Sequence, residues 1–553
     1  MSRGWRHGLD LQKRKCNTGD PAPANRLFTR NFHCCQYHGP NRIGGECRGF
    51  LASHQQPSGD AHVAEPSRRI IVDGVDFANV FQFQRILRAI AMAMQPARLG
   101  IALLMVTALI SAGKLWDGAT APTFGPNGFL HGAMTEDEAR TAQDVYRQEL
   151  RAWGLTAPSD DVDLDGRAVH ADIHDAYVEQ AAEIEDAVDE DAARKEALNA
   201  LAEGFRETAN AIEGVRPLGT YEAMSRHLSK MFTRSLILGT AQLDINQAAK
   251  GAYGLLITTP VMLWDHDRWF AVVYGLLFVI VVALGGGAIA RMAAAEIATG
   301  ERLRIRDAVD FALESWVRLI FTPLLPLIIL AVLCLVLAVS GAVAFLPWLD
   351  VLGGVLYGLA LLIGFIIAVL LIGYVVGFSL LIPAVAVENC DAADAQHRAY
   401  AYVLSRPFHL LGYGLVAIVG LTLGFLFVSF FAMILLNVTA AMVGIWSDNP
   451  AITAGGEATI VNLTGTVPDQ PRIPLANLHE RWAASGVMLW HTLVVSLVVA
   501  YVVAYYFAAS TIVYLLIRKK CDGQDITEIW RPGMIPGTVT PTPDQDQNEP
   551  VSA

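Results

Sequence analysis

The sequence predicts an all-α fold: a polytopic helical membrane protein with six transmembrane helices, in-plane amphipathic helices and an acidic helical extracytoplasmic insertion. Three observations predict it. Of 553 residues, 53% are hydrophobic and only 17% charged, and the apolar residues come in blocks. Basic residues gather in alternate connections between those blocks. Most of the acid behind the net charge of −12 lies in one stretch, about Thr135 to Glu213.

An uncharged apolar run of about 18 residues or more reads as a span, because roughly 20 residues at 1.5 Å rise cross the hydrocarbon core. Six runs qualify: Leu99–Ala112 with its flanking turns, Trp269–Ala290, Val317–Phe345, Val351–Val387, Leu410–Leu436 and Val487–Ile517. The fourth is long enough to tilt or to continue past the bilayer, and Pro383 near its end predicts a kink or an exit.

Orientation follows the short connections. Arg85, Arg88 and Arg98 precede the first span, and Arg291, Arg302, Arg304 and Arg306 stand between the second and third. Arg398 and Arg406 stand between the fourth and fifth, and Arg518, Lys519 and Lys520 follow the sixth. The alternate connection "FLPWLD" has no Lys or Arg. The positive-inside pattern puts both termini in the cytoplasm, in the inner (plasma) membrane of a bacterium. Trp269, Trp348, Trp446, Trp482 and Trp490 then fall near the outer interface, where indoles prefer to sit.

The resulting organisation is a 1–62 extension, a 63–98 cytoplasmic segment with an amphipathic helix, span one at 99–117 and the acidic outer domain at 118–268. Spans two to six follow at 269–518, and a disordered cytoplasmic tail at 519–553. The extension shows no periodicity and no h-region, and reads as disordered or as an over-extended gene start. Its Cys34, Cys35, His38 and Cys47 do not match the paired spacing of a zinc site. None of the seven cysteines falls in an outer segment, so no disulfide framework is expected.

Three stretches before spans look alike: "RILRAIAMAMQPARLGIALL", "AVDFALESWVRLIFTPLLPL" and "RAYAYVLSRPFHLLGYGLV". Each opens as an Ala-rich amphipathic helix suited to the interface plane. Each reaches a basic residue and a Pro, and the Pro disfavours helix at the residue before it, so the chain turns into the bilayer there. The basic side chain is expected to stay at headgroup level. The repetition makes Arg406-Pro407-Phe408-His409 a topological device rather than a catalytic site, and predicts three copies of one unit.

In the outer domain, Thr135 with Glu138 three residues on is a capping box opening a helix. The Ala- and Glu-rich stretch from Ala171 to Ile212 predicts one helix or a hairpin of two. "YEAMSRHLSKMFTRSLI" puts Met224, Leu228, Met231, Phe232 and Leu236 on one face. "GLLITTPVMLW" is too short to span.

"DVDLDGRAVHAD" matches D-x-D-x-D-G with an acid at position twelve. Asp161, Asp163, Asp165 and Asp172 hold the ligand places and Gly166 the turn, as in the calcium loops of EF-hand and dockerin-like repeats that it resembles. Calcium is the one metal the sequence proposes; Ala168, Leu164 and Asp in place of Glu at twelve depart from the pattern, and the bland reading is an acidic turn capped by its own side chains. "DHDR", Asp265 to Arg268, reads as a polar boundary, and "GGGAIA" as close helix packing rather than a phosphate loop.

G-x-S-x-G, H-E-x-x-H and paired Cys/His sets are not found, and the span interiors are nearly free of the ionisable residues that ion-coupled carriers use. "ARMAAAEIATGERLRIRDAVDFALESW" and "DAADAQHRAYAYVLSRPF" resemble a family of uncharacterised bacterial multi-pass membrane proteins. They are also similar in style to the membrane domain joined to some glycerophosphodiester phosphodiesterases, over about the last half of the chain. The resemblance implies a helical integral membrane protein and no phosphodiesterase activity, since the catalytic domain of those enzymes is not in this chain. The expected role is a non-enzymatic scaffold that meets the lipid bilayer through its spans and partner proteins through the acidic domain. The alternative is a transporter or channel for a small or lipidic solute. A nucleic-acid partner is not expected, because there is no overall basic surface.

Overall fold

A computed structural model describes residues 84–159, 162–188, 190–344, 350–444 and 478–537. Helices account for nearly all of it. β structure among the described residues is confined to isolated bridges, such as those from Phe124 to Ala133 and to Leu218. Six helices are long and apolar enough to cross a membrane. They are α2 (Pro96–Ala119), α9 (Arg268–Thr299), α11 (Trp316–Ala344), α12 (Asp350–Glu388), α14 (Pro407–Gly444) and α15 (Leu478–Asp522). Three short helices precede spans: α1 (Gln84–Ala93) before α2, α10 (Ile305–Glu314) before α11 and α13 (Ala392–Ser405) before α14. Between α2 and α9 lie α3 (Glu136–Ala152), α4 (Gly166–Ala187), α5 (Asp191–Val215), α6 (Thr220–Lys230), α7 (Ile245–Tyr253) and α8 (Thr259–His266).

Helix α9 is the hub of the spans, packing on α2, α11, α12 and α15. Its three consecutive glycines explain how. A Cβ at Gly285 would strike Met105 of α2, one at Gly286 the Phe507 ring of α15, and one at Gly287 Leu319 of α11. Steps of about 100° around the helix aim each glycine at a different neighbour, and lack of a side chain lets all three approach. The packing role read from "GGGAIA" is the one found. Gly373 and Gly377 likewise seat Tyr400 and Val403 of α13, while Gly420 and Gly424 seat Tyr505 and Tyr501.

The main buried cluster occupies one half of the spans. It runs from Ile86, Ala89 and Ala93 of α1 through Ala288–Ala290 of α9 and Leu380–Val387 of α12 to Ala508–Ile517 of α15. The far halves of α11 and α12 are exposed nearly all round, with Leu335, Val339, Val355, Leu359, Phe365 and Ile372 facing out. Helix α12 has 39 residues and α15 has 45, about 58 and 68 Å at 1.5 Å rise, well beyond a hydrocarbon core of about 30 Å.

Helix boundaries differ from the sequence expectations in instructive ways. Arg291, expected in a connection, lies inside α9 and is buried. Pro383 sits inside α12, and α11 continues through both Pro323 and Pro326, so none of the three ends its helix. The chain breaks instead at Ser315, and prolines are tolerated within spans because neighbouring groups re-satisfy the freed carbonyls. The tail expected to be disordered from Lys519 is helical to Asp522 and then folds back on the spans as far as Gly537, burying Ile529. Met1 to His62, with its four candidate zinc ligands, lies outside the described residues, as do Trp348 and Trp446.

The insertion is two layers. In the outer one α3, α4 and α5 pack around Tyr146, Ile173, Tyr177 and Phe205, with Trp153 edge-on to Phe205. Thr135 and Glu138 form the expected capping box reciprocally, and the Ala- and Glu-rich stretch is the hairpin of α4 and α5. The second layer joins bundle to spans through Phe124, Phe129, Leu218, Met224, Leu263 and Phe270. After α6 the helix widens into a π-helical stretch, Met231–Ile237, whose Phe232 and Ile237 pack on Phe425 of α14.

Candidate functional site: an arginine–carboxylate centre at the basic helix ends

Long helices leave their last carbonyls without intrahelical partners, and the C-terminus carries partial negative charge. The end of α12 solves both problems with the rest of the chain. Arg291 of α9 donates to the Ala386 carbonyl at 2.9 Å, the Trp530 amide donates to Val387 at 2.8 Å, and the Gly537 amide donates to Glu388 at 2.9 Å. Asn389 then takes the left-handed conformation, φ 51°, that commonly ends a helix. Its side-chain oxygen accepts from Ser315 at 3.0 Å and from Arg318 at 2.8 Å. Arg291 lies over the Phe311 and Trp530 rings as well, at 4.9 and 5.5 Å.

Glu388, 2% exposed, is the centre. One oxygen meets Arg398 of α13 at 2.8 Å. The other accepts from the Tyr514 hydroxyl at 2.6 Å and lies 3.5 Å from Arg518, which is fully buried. Arg518 also donates to the Asp525 carbonyl at 3.1 Å and to the Glu528 carbonyl. Tyr402 donates to Asp522. A buried ion pair is stable only when its remaining polar atoms are satisfied, and removing one member of such a pair typically costs about 3–5 kcal/mol. Both oxygens of Glu388 are engaged, so the centre binds α9, α12, α13, α15 and the folded-back tail together. Chemically it is a clamp, without a free oxygen for acid–base work.

Burial opposes the Arg398 charge, but Glu388 outweighs it and holds the guanidinium above its ordinary value. Burial, then the Asp522 contact, raises the Tyr402 hydroxyl, and burial beside Glu388 pushes the Cys390 thiol up to about 12, leaving it inert. In the tail, the Thr527 amide and hydroxyl and Lys519 hold Asp525 at about 2. An open groove of about 420 Å³ lies beside the centre, lined by Asp394, His397, Tyr402 and Asp522 among others.

A second buried arginine locks α1, α2 and α9. Arg98 is 1% exposed; it donates to the Met92 and Met292 carbonyls at 2.9 Å each and meets Glu296 at 2.8 Å. Gln95 donates to the same carboxylate at 2.9 Å. The junction arginine Arg98 is thus shielded from solvent: a carboxylate from another apolar helix lets it bury. Arg406 and His409 are exposed.

The residues of the calcium reading are placed as follows. Asp161 lies outside the described residues. Asp165 caps α4, accepting from the Arg167 amide at 3.0 Å, and Gly166 begins the helix instead of turning a loop. Asp172 is therefore already well inside α4, on an exposed position, and Asp163 is exposed. Gln143 of α3 fixes the stretch by bonding both backbone groups of Leu164, at 2.8 and 3.0 Å. Among the described residues no group of three or more His, Cys, Asp and Glu could hold a metal ion. In "DHDR", Asp267 caps α9 through the Phe270 amide at 3.0 Å and accepts from Thr220 at 3.0 Å, and His266 lies edge-on to Phe124.

No family model, curated protein or solved structure matches the chain. The fold defines the class: a helical protein with six helices long and apolar enough to span a membrane, clamped at one end. Sequence reading missed Glu388, Asn389, Tyr514 and the strap beyond Asp522. Glu388 did carry a signal, being the first carboxylate after more than thirty residues of apolar chain.

Proposed function

We propose that the chain is an integral membrane protein of six spans, with its basic helix ends and both termini in the cytoplasm. In this reading it holds partner proteins through the helical insertion rather than performing chemistry. The observation that supports this best is how the insertion is mounted. Asp117, near the end of α2, accepts from the Tyr221 and Glu222 amides at 2.9 and 2.8 Å, capping α6 from a span. Asp267 joins the start of α9 to Thr220. Arg216 and Arg226 tie Glu213 to Glu222, so the end of α5 is fixed to α6. The bundle is thus a platform held on two spans. Its α4 end carries exposed Glu179, Glu183, Glu185 and Asp186, which suit a basic protein surface.

The cytoplasmic clamp supports the same reading, because it serves rigidity and uses up the ionisable groups it contains. Cross-linking in intact cells followed by detergent pull-down tests it. Changing Glu179, Glu183, Glu185 and Asp186 to Lys in the full chain is expected to remove partners captured by the native protein. An identical partner set from both chains refutes the acidic surface.

A further inference from the structure

Where α1 meets the spans there is a small notch of about 40 Å³. Arg85, Arg88 and Met92, at i, i+3 and i+7, form its rim on one stripe of α1. Its floor is apolar: Ile297 of α9, Ile512, Leu515 and Leu516 of α15, and Ile526 of the folded-back tail. The carboxylates next to this floor in sequence are already engaged. Glu296 is taken by Arg98 and Gln95, and Asp525 by Lys519 and Thr527. Arg85 and Arg88 make no ion pair with any described residue. The notch stands beside the start of α2, one of the helices apolar enough to span: the Met92 carbonyl accepts from Arg98 at 2.9 Å.

We infer that this notch is a binding site for one anionic phospholipid. Its phosphate sits between the Arg85 and Arg88 guanidiniums, and its first acyl carbons lie against Ile297, Leu515 and Ile526. The two guanidiniums, without an ion pair among the described residues, supply charge-assisted bonds to phosphate oxygens, and a basic recess between spans suits an anionic head group. The apolar floor separates this from a site for free phosphate, which would gain nothing from it. The inference rests on the reading of the chain as membrane-spanning, though not on the partner surface.

The test uses the purified full chain in detergent, with binding read by native mass spectrometry and thermal shift. Dioleoyl phosphatidylglycerol is expected to remain bound and raise the melting temperature, whereas dioleoyl phosphatidylcholine and inorganic phosphate do neither. Arg85→Gln with Arg88→Gln should weaken phosphatidylglycerol binding about 30-fold, the effect of two interfacial cations. Arg85→Lys with Arg88→Lys should retain most of it. Arg302→Gln with Arg304→Gln, exposed at the same end, should leave it unchanged. Equal effects of the two lipids, an equal shift by phosphate alone, or an equal loss in the Arg302/Arg304 variant would each overturn the site. The wild-type arms decide even if the Gln variant misfolds. Alkaline carbonate extraction separates the two failures: a chain that stays with membranes yet shows no lipid preference loses this site and keeps its spans.

Discussion

Two junctions in this protein are nearly the same in sequence and opposite in structure. At Gln95-Pro96-Ala97-Arg98 and at Arg406-Pro407-Phe408-His409, a short helix stops and a span starts with proline in its first turn. Both helices begin at the proline, whose missing amide costs nothing there. At the first, Arg98 is buried under α9 and bonded to Glu296 and two carbonyls. At the second, Arg406 and His409 are exposed and Phe408 is 84% exposed. The local pattern decides where the helix starts. What the charge then does is decided by a carboxylate 198 residues further along the chain.

The comparison breaks most easily from the partner's side. Glu296→Ala would leave Arg98 buried with only carbonyls to face, and is expected to cost about 3–5 kcal/mol in detergent unfolding. A variant as stable as wild type would mean that Arg98 reaches water, and the two junctions would then be alike. Arg98→Ala is expected to cost less, about 2 kcal/mol, because Glu296 is 20% exposed and can turn to solvent once its partner is gone. Arg406→Ala should change unfolding by no more than about 0.5 kcal/mol, as for other exposed positions. A loss at Arg406 as large as at Arg98 would show that the exposed junction carries a load the geometry does not reveal.

This contrast also explains what could be read in advance. Helix starts and the Thr135 capping box are local: the residue and the amide it serves lie within one turn, so spacing alone carries them. The packing role of Gly285–Gly287 follows from composition, since three glycines in a span invite close neighbours. The clamp is different. Glu388 meets Arg398 ten residues on, but also Arg518 and Tyr514, and nothing local distinguishes Arg518 from Lys519 and Lys520 beside it. Counting basic residues for topology treats all three alike, yet one is buried and two lie at the surface of the helix end. Arg291 was misplaced for the same reason. A cation ends a span unless distant carbonyls and rings receive it, and those of Ala386, Trp530 and Phe311 do.

The insertion buries two histidines by the other route, without an ion pair among the described residues, and that gives the smallest and most local effect. His227 is buried against the Phe129 ring with its Nε2 unpartnered, and His170 is half-buried beside Phe205. Burial lowers both below their ordinary value of 6.5, so the folded insertion holds them neutral. The unfolded chain then takes up protons first as pH falls. Stability from these groups is complete above about 6.5 and is lost as pH falls from there toward the folded values. Hydrogen exchange in α4 and α6 should accordingly quicken, after correction for intrinsic rates, between pH 7.5 and 5.5. Amides around Arg98 should not respond, since arginine keeps its proton throughout that range. His227→Phe should remove most of the response in α6. If α6 and the Arg98 junction quickened together, the pH effect would belong to the whole fold, and burial by pairing would no longer be distinguishable from burial by neutrality.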